Sequence, residues 1–80
     1  MFDVILDNKS NKQYSKLEKS IRFHFTLFLK QLEINPFMGK LSENTYHAHV
    51  KYSWVIVWEV NKPNNLVTVT YIGSREGAPY

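Results

Sequence analysis

Two histidines stand two residues apart in His47-Ala48-His49, inside Tyr46–Val50, whose alternation of apolar and polar residues reads as a β-strand. Residues i and i+2 of a strand project from the same side, with Cα atoms about 6.5–7 Å apart. Two imidazoles at that separation can flank a phosphate. Each can take or give a proton near neutral pH, since the ordinary histidine pKa is near 6.5. Metal-free cleavage of RNA needs a base for the 2′-hydroxyl, a cation for the charge growing on phosphorus and an acid for the leaving 5′-oxygen. Arg75 follows Gly73-Ser74 and offers a planar, bidentate cation. Tyr80 offers a ring for stacking on a base. By spacing alone, the same pair also reads as two half-exposed strand histidines with no role. A His-x-His pair can begin a metal site too, with Glu59, His24 or Glu76 as third ligand. His24 lies between Phe23 and Phe25, with no spacing that links it to the pair, and no metal is predicted.

These groups must be held by a small domain. The chain has 80 residues, enough for one core and not two. With 44% apolar residues, 15% of the chain being aromatic, it is globular rather than disordered. There is no Cys, which excludes disulfides and thiolate-held metal or iron–sulfur centres. No apolar run approaches a membrane span, and Met1-Phe2-Asp3-Val4 does not read as a signal peptide, so a cytoplasmic location is expected. The net charge of +3 permits an anionic partner. Lys9, Lys12, Lys16, Lys19 and Arg22 fall within fourteen residues whose one acid is Glu18. They form either a solvated helix face or a patch for phosphates or an acidic protein.

Phe2, Val4 and Leu6 alternate with Asp3, Ile5 and Asp7, a short strand with one apolar face. Asn8–Asn11 is turn-forming, and Ser10 with Gln13 has the form of a capping box that starts a helix. Tyr14, Leu17, Ile21, Phe25, Phe28 and Leu32 make one helical stripe, to be buried on a sheet. Either one long helix or a helical hairpin accommodates it, and Asn35-Pro36 ends it. Pro36 to Asn44 reads as a loop. Three strands follow: Tyr46–Val50, Trp54–Val60 and Leu66–Ile72, the last with Val67, Val69 and Tyr71 on one face. A three-residue loop Lys51-Tyr52-Ser53 sets Val50, Ala48 and Tyr46 opposite Trp54, Ile56 and Trp58, an all-apolar face. A two-residue loop would bury both histidines among the tryptophans without partners, which costs free energy. The expected architecture is α+β: an N-terminal strand, a helical region, then a three-stranded antiparallel meander completing one sheet. One face packs on the helix, and the other is open and carries the histidines.

In order and spacing, several segments resemble the RelE/ParE toxin superfamily of bacterial and archaeal toxin–antitoxin systems. Asn35-Pro36-Phe37 through Leu41 resembles the family's "NPF…L" lead-in to its second strand. Tyr46-His47-Ala48-His49-Val50 resembles the strand with alternating basic residues, and Trp54–Val60 the "YRvvYev" strand. Tyr71-Ile72-Gly73-Ser74-Arg75, with Tyr80, resembles the "iGhR…vY" close. The resemblance implies a single RelE-like domain over residues 1–80 and a toxin acting as a ribosome-dependent endoribonuclease that cleaves mRNA and represses translation. It implies a cognate antitoxin protein, the ribosome and mRNA as partners, no membrane and no cofactor. His47 and His49 fall where the family places two lysines, Arg75 on its last-strand arginine and Tyr80 on its base-stacking tyrosine. Lys16, Lys40, Lys51 and Tyr52 are expected to bind RNA. One position departs: Val55 stands where the family has an arginine that helps hold the scissile phosphate, so Val55→Arg is expected to raise activity if the site has room. The other readings are a ParE-like gyrase inhibitor and a degenerate toxin that only binds its antitoxin.

Overall fold

The computed structural model describes residues 1–80 as one five-stranded mixed sheet with two helices. The elements run β1 (Asp3–Leu6), α1 (Asn8–Ser15), α2 (Lys19–Ile34), β2 (Lys40–Ser42), β3 (Thr45–His49), β4 (Trp54–Asn61) and β5 (Leu66–Ser74), with short 3-10 turns at Lys62–Asn64 and Arg75–Gly77. The strand order is β1-β5-β4-β3-β2. β1 runs parallel to β5, and every other pairing is antiparallel. No helix is long and apolar enough to cross a membrane.

The helical region is a hairpin of two helices. The chain is extended at Glu18 (φ −57, ψ 145), between the C-cap Lys16 and the start of α2. The apolar stripe survives this break. Phe25 and Leu32 are fully buried in the core, while Tyr14, Leu17, Ile21 and Phe28 pack on it half-buried. Phe28, expected to be buried, is thus only partly so. Its ring lies 5.6 Å from that of Trp58.

The capping box at Ser10 and Gln13 does not form. Asp7 is the N-cap, its Oδ1 accepting from the Ser10 amide at 2.8 Å. β1 pairs only with Leu66–Val69, so the rest of β5 has a free edge, and α1 lies along it. The Ser10 hydroxyl donates to the Val69 carbonyl at 2.7 Å, and Gln13 Oε1 accepts from the Ile72 amide at 2.9 Å. Both side chains satisfy exposed strand groups, which outweighs the local cap.

The hairpin register is the expected one: Tyr46 faces Trp58, Ala48 faces Ile56, and the Val50 amide donates to the Trp54 carbonyl at 2.8 Å. Two further features differ from the sequence reading. Lys40–Ser42 is a strand rather than loop, extending the meander to four strands. Thr70 is the extra residue of a bulge, since Trp58 pairs with Val69 and Val57 with Tyr71. The bulge turns Tyr71 to the face opposite Val67 and Val69, and puts Ile72 in the main core instead.

Candidate nuclease face

The face away from the helices is built in cross-strand rows. One row runs Lys40, His47, Val57, Tyr71 across β2, β3, β4 and β5. The next runs His49, Val55, Gly73. Residues opposite one another in antiparallel strands share a face, with Cβ atoms about 4.5–5.5 Å apart. Lys40, His47 and His49 therefore cluster at the β2–β3 side. Glu59 lies on the same face of β4, two residues from Val57.

This face is not open. Val55 and Val57 are 0% and 3% exposed and form a second small core with Tyr71, covered by Ala78 of the C-terminal segment. The Tyr71 hydroxyl donates to the Ser74 carbonyl at 2.8 Å and ties down the turn that starts this segment. Tyr80 then lies flat on His47, ring centroids 4.0 Å apart and planes 7° apart. The sequence reading took the face as open because alternation cannot show that a segment beyond β5 folds back over Val55 and Val57.

His47 is the perturbed group of the site. Its Nδ1 is buried with no hydrogen-bond partner. Burial holds its pKa below the usual histidine value, with smaller contributions from the Lys40 ammonium and from His49. His47 is thus a neutral imidazole at pH 7. The unfolded chain takes up this proton near pH 6.5, the folded chain only at lower pH. The stability His47 confers is complete above about pH 6.5 and is lost as pH falls through the folded value. We expect His47→Gln to flatten the acidic limb of a stability–pH curve measured by urea denaturation. An unchanged limb would assign it to other groups.

The remaining sequence-named residues divide. Lys51 and Tyr52 occupy the β3–β4 loop, Lys51 with φ 65 and Tyr52 88% exposed. Arg75 lies past the end of β5, its amide donating to the Ser53 carbonyl at 2.6 Å. It lines a polar cleft of about 440 Å³ with Tyr52, Ser53, Ser74 and Glu76. Gly73 is two strands from His49, a span of roughly 10 Å at ordinary strand spacing. Arg75 therefore sits at the end of the sheet where His49 and the loop meet. Lys16 is apart from the others, because α1 follows β5 and β4 stands between β5 and β3. No cluster of three or more metal-ligating side chains occurs, and neither His24 nor Glu76 joins the histidines in one.

No protein-family model matches the sequence, and no curated protein does. Solved structures match well. The isolated RelE toxin of E. coli superposes with a TM-score of 0.85 at 20% identity, covering 99% of this chain and 89% of that one. The toxin in the intact E. coli RelBE toxin–antitoxin complex gives 0.84 at 20%, covering 92% and 96%. The archaeal RelE–RelB complex from Pyrococcus horikoshii gives 0.77 at 17%, covering 96% and 98%. These superpositions, over nearly the whole chain, give this chain the RelE toxin fold.

Proposed function

We propose that this chain is the toxin of a type II toxin–antitoxin pair and a metal-independent endoribonuclease that cleaves mRNA on the ribosome. The observation that carries the reading is the placement of His47 and His49 on one sheet face beside Lys40, in a RelE fold. Two of the three structures named above are toxin–antitoxin complexes, which supports an antitoxin as partner. A protein of this kind works in the cytoplasm.

The chemistry is a transesterification. The 2′-oxygen attacks the adjacent phosphorus and its proton passes to a neutral imidazole, a role His47 suits. The bond from phosphorus to the 5′-oxygen breaks, and that oxygen takes a proton from His49, which acts as the general acid. The upstream fragment ends in a 2′,3′-cyclic phosphate. Arg75 steadies the phosphate from the loop end of the sheet. A substrate base extends the His47–Tyr80 stack on the outer side of Tyr80, which is 50% exposed. Tyr52, Lys51 and Lys40 border the path of the strand.

The test is induced expression of wild type, His49→Ala and Arg75→Ala in cells lacking the antitoxin, with message ends mapped by primer extension. Wild type should arrest growth and create new ends. Each variant should lower cleavage about 10²–10⁴-fold, the usual worth of one proton-transfer group or one charge-stabilising contact. The buried Val55 favours a second reading, a degenerate toxin that binds antitoxin and cleaves nothing. Absence of arrest would select it. Arrest persisting in both variants, with falling gyrase activity, would select a ParE-like inhibitor.

A further inference from the structure

We propose that Lys40 is a catalytic residue of this face, a second cation that holds the scissile phosphate between His47 and His49 while Arg75 steadies it from the loop end. The proposal rests on the nuclease reading above and deepens it. Three observations converge on Lys40. First, its place is built. Gly39 sits where an added Cβ would lie 2.5 Å from the Trp58 ring and 2.8 Å from the His47 carbonyl oxygen, so only glycine lets the chain approach this closely. β2 then begins at Lys40 in register with His47. Second, β4 offers no cation to the phosphate. Its residues in the histidine rows are Val55 and Val57, both buried under the C-terminal segment. Gly73 adds no side chain in β5, and Arg75 lies beyond that strand. Third, the ammonium already acts on His47, lowering its proton affinity.

The consequence is a coupling. With no substrate bound, Lys40 helps to keep His47 neutral, the form a base must have. An arriving phosphate offsets the ammonium charge and raises the proton affinity of His47 as the 2′-hydroxyl proton is about to leave. Of the other titratable groups on this face, His49 also lowers the proton affinity of His47, Tyr80 stacks on its ring, Tyr71 stands in the same row on β5, and Glu59 lies farther along β4. None of these is a cation standing in register with His47 on a neighbouring strand.

The experiment compares wild type, Lys40→Gln and Lys40→Arg. The side chain is exposed, so all three should share one melting temperature. Cleavage of ribosome-bound message should fall about 10²–10³-fold in Lys40→Gln, the worth of one charge-stabilising contact, with most of the loss in kcat and a smaller rise in KM. Lys40→Arg should keep most of the rate. NMR titration should show the His47 pKa raised in Lys40→Gln and retained in Lys40→Arg. A 2′-O-methyl RNA, which cannot be cleaved, should raise that pKa in wild type and bind with a steeper salt dependence than in Lys40→Gln, by a slope of about 0.7. Cleavage by Lys40→Gln within a few-fold of wild type overturns the proposal. If wild type itself cleaves nothing, the nuclease reading fails, and Lys40 is judged on the 2′-O-methyl RNA alone. Equal binding and equal salt slopes in wild type and Lys40→Gln then overturn it.

Discussion

Trp58→Ala should remove most of the protein's stability. Trp58 is fully buried. Its ring stacks on Tyr46 at 5.9 Å, meets Phe28 at 5.6 Å and closes over Gly39. Its Nε1–H donates to the Pro36 carbonyl at 2.8 Å. Truncating a buried Trp or Phe to Ala costs about 3–5 kcal/mol. A domain of 80 residues sits toward the lower end of the 5–15 kcal/mol range of stabilities, so most of its reserve goes. Trp58→Phe should keep much of the packing but strand the Pro36 carbonyl, at about 1–3 kcal/mol. Urea denaturation followed by circular dichroism measures both. A Trp58→Ala loss under about 1 kcal/mol would mean the ring is not the keystone between helix, sheet and lead-in segment.

Val55→Arg should break the fold rather than restore an active site. From the sequence, an arginine here was expected to raise activity given room for it. There is none. Val55 is 0% exposed, packed with Val57 and Tyr71 beneath Ala78. An unpaired guanidinium forced into that cluster costs several kcal/mol in desolvation, unless it expels the C-terminal segment and with it the Tyr80–His47 stack. The expected result is low soluble yield, a melting temperature well below wild type and no gain in cleavage. Val55→Ala serves as the control: a Val buried on this small core should cost about 1–3 kcal/mol without charging it. A soluble Val55→Arg protein with the wild-type melting temperature and faster cleavage would show that the segment over Val55 is readily displaced.

Both predictions turn on what local pattern carries and what it leaves out. Alternation at period two placed His47 and His49 on one side of β3. Charge and size alone then selected the three-residue loop, because the other register buries two imidazoles. The stripe from Tyr14 to Leu32 identified the face that meets the sheet, though it could not show the break at Glu18. That face needs only 3.6-residue spacing within each helix, which the two helices of a hairpin satisfy as well as one long helix. Tertiary structure decided the rest. Ser10 and Gln13 serve β5 rather than their own helix, since the partners they satisfy are more than fifty residues away. Lys40, expected from the sequence to bind RNA, stands beside His47 only because Thr45–His49 supplies a strand for Lys40–Ser42 to pair with, and three residues carry too little periodicity to announce that strand. The bulge at Thr70 reverses the facing of Tyr71, and no residue type signals where a ladder slips by one. The tail closes over Val55 and Val57 because β4 leaves these two valines, and β5 after its bulge leaves Tyr71, on the outer face. Neither strand alone shows that combined patch, and covering it is what brings Tyr80 onto His47.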